Sequence, residues 1–168
     1  MGASNSKLNK NGLNIKFLRA IKIGNFQLAQ EFVDLGANAE IRDKEGNDAL
    51  SIAVTNGNRV IVDWLIKTLN VKLNSKNHDG CTPLMYAASV GHLDILKYLV
   101  ENGCPLEDES VDGFTALHWA AYIGNMDTVK ALVQFGANIK ALNADGKYPY
   151  DLAETNEVRS FLTDNSIV

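Results

Sequence analysis

The side chains best suited to chemistry in this sequence are three histidines, His78, His92 and His118, and two cysteines, Cys81 and Cys104. Imidazole and thiolate together could hold zinc, or pair as base and nucleophile. Their spacing supports neither. No interval among the five matches a zinc-ligand pattern, and no Cys/His family signature surrounds Cys81. Cys81 reads as a turn residue, and two cysteines make no disulfide framework, so both are read as free thiols in a reducing compartment. Gly113, Gly124 and Gly136 punctuate helices and form no phosphate loop. The carboxylates are scattered over loops and exposed helix faces. On these grounds the sequence is read as a non-enzyme with no catalytic residue, no metal site and no cofactor.

One reactive group remains, at the start. Met1-Gly2-Ala3-Ser4-Asn5-Ser6-Lys7 fits N-myristoylation: methionine removal frees the Gly2 amine, small residues follow, and serine stands sixth. Lys7, directly after that serine, resembles the preferred substrates of N-myristoyltransferases. Gly2 is therefore the expected lipid attachment site. One myristoyl chain anchors only marginally, so a second signal is needed. Lys7 and Lys10 can supply it, at roughly 1 kcal/mol for each cation near an anionic membrane. Lys16, Arg19 and Lys22 either extend that patch or form the solvated face of the first helix. Residues 1–30 hold five cations and no acid, so they carry +5 of a chain whose net charge is −4, which leaves −9 on the remainder. A basic end on an acidic body points that end at an anionic surface and argues against nucleic acid as partner. No window approaches the ~18 apolar residues of a membrane span. Lysines and Arg19 interrupt every candidate secretory core. Residues 1–12 read as a flexible basic arm, with little to bury after the first two positions.

What must position any binding residue is a repeat. Shifted by 33 residues, Asp79, Gly80, Thr82, Leu84, Ala87, Ala88, Gly91, Asp94, Lys97, Leu99, Val100 and Gly103 fall on identical residues from Asp112 to Gly136. Twelve identities stand against the roughly two or three expected by chance. A weaker copy begins at Asp43-Lys44-Glu45-Gly46 with a shift of 34, its extra residue placed after a helix within residues 67–74. Earlier still, Asn14 is expected to cap a helix from Ile15 with Ile15, Phe17, Leu18 and Ile21 as its apolar stripe. Gly24 breaks that helix, and a second one runs from about Phe26 to Leu35. Thr82 and Thr115 are placed to cap helices, and Pro83 sits in a first turn where its missing N–H costs nothing.

Thr82-Pro83-Leu84-Met85 with Gly91-His92, and Thr115-Ala116-Leu117-His118 with Gly124-Asn125, resemble the ankyrin repeat, whose period and motif they share. The resemblance implies an all-α solenoid of stacked helix-turn-helix units joined by β-hairpin-like loops. Units are expected at about residues 13–42, 43–76, 77–109, 110–142 and 143–163, the last a clipped cap in which Tyr150 takes the place of Leu117, with a frayed tail at 164–168. It also implies that His118 bonds within its turn; Trp64, Tyr98 and Trp119 lie at helix-packing spacing and are read as core. Function is then protein binding on a concave face of loop tips and inner helices. The contact positions carried over are Lys44, Glu45, Asn47, Thr55 and Asn56; His78, Asp79, Cys81, Ser89 and Val90; Val111, Asp112, Phe114, Tyr122 and Ile123; and Asp145 and Lys147. Val90, Val111, Phe114, Tyr122 and Ile123 are apolar where solvent exposure is expected, the composition of an interface hot spot. Alternatively, Phe114 and Ile123 fold back on Trp119. The expected protein is a monomeric adaptor with a protein partner, anionic lipids at its N-terminus and no small-molecule substrate, peripheral on the cytosolic side of a membrane. The alternative is an untethered regulator or inhibitor of an enzyme or transcriptional partner.

Overall fold

The computed structural model describes residues 10–166. Among these are α1 (Lys10–Lys22), α2 (Phe26–Asp34), α3 (Ala49–Thr55), α4 (Arg59–Lys67), α5 (Pro83–Val90), α6 (Leu93–Glu101), α7 (Ala116–Ile123) and α8 (Met126–Gln134). A single 3-10 turn over Pro149–Asp151 and α9 (Asn156–Asn165) complete the chain. Inner helices stack in order, α1 on α3, α3 on α5, α5 on α7, and α7 on the 3-10 turn; the outer helices follow, α6 on α8 and α8 on α9. The result is the all-helical solenoid that the repeat implies. None of the described helices is long and apolar enough to cross a membrane.

Local chemistry sets each helix boundary. Asp48, Thr82 and Thr115 accept from the third backbone N–H of α3, α5 and α7, and Asn25, Asn58 and Asn125 do the same for three outer helices. Each such cap is worth about 1 kcal/mol. Ala87, Ala88, Ala120 and Ala121 are wholly buried between α5 and α7, where a larger side chain would force the helices apart. Outer helices need a left-handed residue to turn back toward the next unit. Gly36, Gly103 and Gly136 provide it, and Asn70, at φ +49, takes that place in the second unit. Asn70 lies three residues past the end of α4 where Gly103 lies two past α6, so the one-residue insertion falls just after the helix.

The first unit departs from expectation. α1 begins at Lys10, so Asn14 is inside the helix and caps nothing. Its side-chain oxygen instead accepts from Asn38 N–H at 2.8 Å. The buried stripe is Leu13, Phe17, Ala20 and Ile21, a helical i, i+4, i+7, i+8 series. Leu13, only 6% exposed, anchors the extra turn, while Ile15 is 67% exposed. Residues 10–12 therefore belong to the helix and not to a tether; residues 1–9 lie outside the described part. At the other end α9 continues to Asn165, past the expected start of a frayed tail, because Val158 and Leu162 bury one face of it.

His118 is the buried keystone of the fourth unit. Thr115 N–H donates to its Nδ1 at 3.1 Å, and its Nε2 lies 3.2 Å from Lys147 O. Accepting at Nδ1 leaves the proton on Nε2, which donates to that carbonyl. Burial lowers the His118 pKa below its ordinary value, so the ring is neutral in the fold. The unfolded chain then binds the extra proton first, and stability present above about pH 6.5 is lost as the pH falls. In the third unit Met85 stands at this position, its sulfur 3.5 Å from Thr82 N. The substitution His118→Met removes the titration, so the melting temperatures of wild type and variant, followed by circular dichroism, converge between pH 7 and pH 5.

Candidate protein-binding surface

Loop tips and inner helices form the concave face, and side-chain oxygens build the tips. Asn77 Oδ1 accepts from Asp79 N–H and Cys81 N–H at 3.0 and 2.8 Å; Asn143 Oδ1 repeats the pattern on Asp145 and Lys147 at 3.0 and 2.9 Å. Asp43 does so in the second unit, and in the fourth Ser110 Oγ accepts only from Phe114 N–H, at 3.1 Å. Such turns are what short polar side chains favour. The tips are then laced together through the backbone: His78 N–H to Glu45 O at 3.1 Å, Val111 N–H to Asp79 O at 2.9 Å, and Ala144 N–H to Asp112 O at 3.0 Å. This lacing brings Lys44, Glu45, His78, Asp79, Val111 and Asp112 into one exposed file. Asp145 and Lys147 extend it, and Thr55 and Asn56 lie exposed at the end of α3.

The apolar cluster stands on the third and fourth units. Val111 is 73% exposed, Tyr122 51%, and Val90 and Ile123 47% each, so four of the five expected contact residues offer apolar surface to a partner. Phe114 does not stand free. It is half-buried, its ring 5.3 Å from Trp119 and 5.5 Å from His118. The fold-back alternative therefore describes Phe114 and not Ile123. Trp64 and Tyr98 are core, at 9% and 7% exposure. Trp119 is half-buried and lies edge-on to Tyr122 at 6.3 Å, with one face on the groove. Helical spacing alone placed it in the core, and spacing does not show which way its ring faces.

Tyr86 and Asn47 are structural. The Tyr86 hydroxyl donates to Asn47 Oδ1 at 2.7 Å and accepts from Asn77 Nδ2 at 2.8 Å. This clasp joins the second and third tips, and burial pushes the phenol up to about 12. Asn47 therefore braces the groove. Next to it, a cleft of about 340 Å³ opens between α5 and α7, bounded by Asp79, Cys81, Ser89, Asp112 and Trp119. Burial, then Asp79 and Asp112, raise the Cys81 pKa, which keeps it a thiol and a poor nucleophile. Burial pushes Cys104 up to about 12. His92 reaches Thr55 O at 3.3 Å and His118 is enclosed, while His78 is exposed and Cys81 lines the cleft. Lys10 is exposed at the first position of α1. Gly2 and Lys7 lie outside the described residues.

Residues 17–110 match the family model for ankyrin repeats (3 copies), and residues 112–144 match that for a single ankyrin repeat. The chain belongs to the ankyrin-repeat family. Ankyrin repeats are binding modules, so protein binding is the function class of this fold. Among its relatives is the human Notch-regulated ankyrin repeat-containing protein, 34% identical over 88 residues that make up 50% of this chain and 76% of that protein. Alpha-latrocrustotoxin-Lt1a of Latrodectus tredecimguttatus is 38% identical over 34% of this chain and 4% of its own length. Human Rabankyrin-5 is 29% identical over 51% of this chain and 7% of its own. This ankyrin chain spans 12% or less of the long relatives it matches, so the similarity there is to one region of a larger protein.

Proposed function

We propose that this protein is an adaptor: its ankyrin concave face holds a partner protein, and a myristoyl group on Gly2, helped by Lys7 and Lys10, tethers it to the cytosolic face of a membrane. The observation that carries the binding half is the exposure of Val90, Val111, Tyr122 and Ile123 on the third and fourth units, with Tyr122 edge-on to Trp119. Exposed apolar and aromatic side chains grouped on one face are the composition of binding hot spots. Tethering would raise the local concentration of whatever the face holds. The acylation half rests on the opening residues and the basic charge of residues 1–30. A second reading, an untethered regulator, uses the same binding face without the N-terminal lipid.

One experiment with two arms tests the proposal. Phe114→Ala with Tyr122→Ala should weaken capture of the partner by roughly 30-fold or more, the loss of a hot spot worth at least 2 kcal/mol. Tyr122 is largely exposed but Phe114 is half-buried on His118 and Trp119, so circular dichroism on the double variant must first show a folded chain. Full capture by a folded double variant removes the cluster from the interface. Membrane fractionation of wild type against Gly2→Ala should move the protein to the soluble fraction, and equal distribution leaves the untethered regulator.

A further inference from the structure

The concave face differs from one end to the other. Between α1 and the second tip lies a groove of about 630 Å³ lined by the apolar Ile15, Leu18 and Ile52 and by the cations Arg19, Lys22 and Lys44. Arg42 and Asp43 also line it, but Arg42 is committed to Gly46 O and Lys76 O at 2.7 and 2.8 Å, and Asp43 to its own tip. Three cations then face a single further carboxylate, Glu45. None of these four forms a salt bridge among the described residues.

At the third and fourth units the balance is reversed. The cleft between α5 and α7 is flanked by Asp79 and Asp112, neither of which forms a salt bridge among the described residues, and no cation lines it. Comparing junctions within the chain shows why it is open. Between the second and third units, the Tyr86 hydroxyl clasps Asn47 and Asn77. At the next junction the equivalent residues are Trp119, Cys81 and Ser110. These form no such clasp, and the buried Trp119 Nε1 has no hydrogen-bond partner among the described residues. What remains is an aromatic wall between two carboxylates, a setting that suits a cationic side chain through charged hydrogen bonds and the ring face.

We propose that the concave face takes an extended partner segment of opposite polarity: an arginine or lysine seated between Asp79 and Asp112 beside Trp119, and a carboxylate with an apolar neighbour over Arg19, Lys22 and Lys44. The two sites are two inner-helix steps apart, about 16–20 Å at the usual spacing of packed helices. An extended chain covers that distance in about five or six residues. The charge gradient fixes which end of a given segment lies over which site. This rests on the protein-binding reading and specifies its partner.

The test is selection of random twelve-residue peptides displayed on phage against the full chain. Enriched peptides should carry a basic and an acidic residue about five or six positions apart. One of them, synthesised and titrated by the Trp119 indole signal in 15N-labelled protein, should bind at least about tenfold more weakly to Asp79→Asn with Asp112→Asn. Citrulline in place of its arginine, or glutamine in place of its lysine, should cost as much. Enrichment without that polarity, or affinity indifferent to the two aspartates, overturns the proposal while leaving protein binding intact. Failure to enrich any peptide also overturns it; the partner-capture experiment with Phe114→Ala and Tyr122→Ala then judges the adaptor reading separately.

Discussion

Leu117→Ala should lower stability by about 2–5 kcal/mol, the range for truncating a fully buried leucine. Leu117 is 1% exposed. Its helix α7 packs on α5 within the inner layer, on α8 behind it, and on the 3-10 turn that follows, so a cavity there loosens three contacts at once. A stack of this size has only about 5–15 kcal/mol in total. The expected drop in melting temperature is roughly 5–15 °C, at 2–4 °C per kcal/mol for a chain of this length. Tyr150 is the internal control. It holds the equivalent place in the last unit, yet it is half-buried and stacks on Tyr148 at 4.9 Å. Tyr150→Ala should therefore cost much less. Since each unit contacts only its neighbours, the Leu117→Ala chain should also melt less cooperatively, with its first two units outlasting the last two. A single transition that is merely shifted would show that the units unfold as one.

The solenoid could be read from the sequence because its determinants are local and repeated. Thr82 and Thr115 cap, Gly91 and Gly124 turn, and Leu84 and Leu117 fill the same place one period apart. Where the period weakens, reading failed for physical reasons. α1 carries Gly12 and Asn14, both poor helix formers, while the burial of Leu13 favours its first turn, a tertiary effect. Asn14 has the chemistry of a cap and spends it on Asn38 across the unit. The concave face was legible as a set of positions, and its exposed apolar residues were found. The direction of each side chain was not legible. Phe114 turns inward onto His118, Trp119 turns one face outward, and Asn47 is spent on Tyr86. These orientations depend on which residue the neighbouring unit presents, and no spacing rule within one repeat contains that information.

Gly80→Ala tests the lacing on which the binding face depends. Gly80 sits at φ +76, and a Cβ there would lie 2.8 Å from Val111 N and 3.0 Å from Ser110 Cα. Both are backbone atoms of the next tip, so no rotamer change relieves the contact. Gly103 is the matched control, at φ +91 with nothing within 4 Å of its Cβ position. Each substitution incurs the left-handed cost of about 1–2 kcal/mol. Only Gly80→Ala must also push the tips apart and stretch the 2.9 Å bond from Val111 N–H to Asp79 O, which adds about 0.5–1.5 kcal/mol. Urea titration should therefore give Gly80→Ala the lower midpoint of the two. The separation falls between Asp79 and Val111, at the mouth of the cleft beside Trp119, so the Trp119 indole resonance should move in folded Gly80→Ala and stay in place in Gly103→Ala. Equal midpoints with an unmoved indole would mean that the tips are held by their own turns alone. The concave face would then be a row of independent loops, free to adapt to a partner one unit at a time.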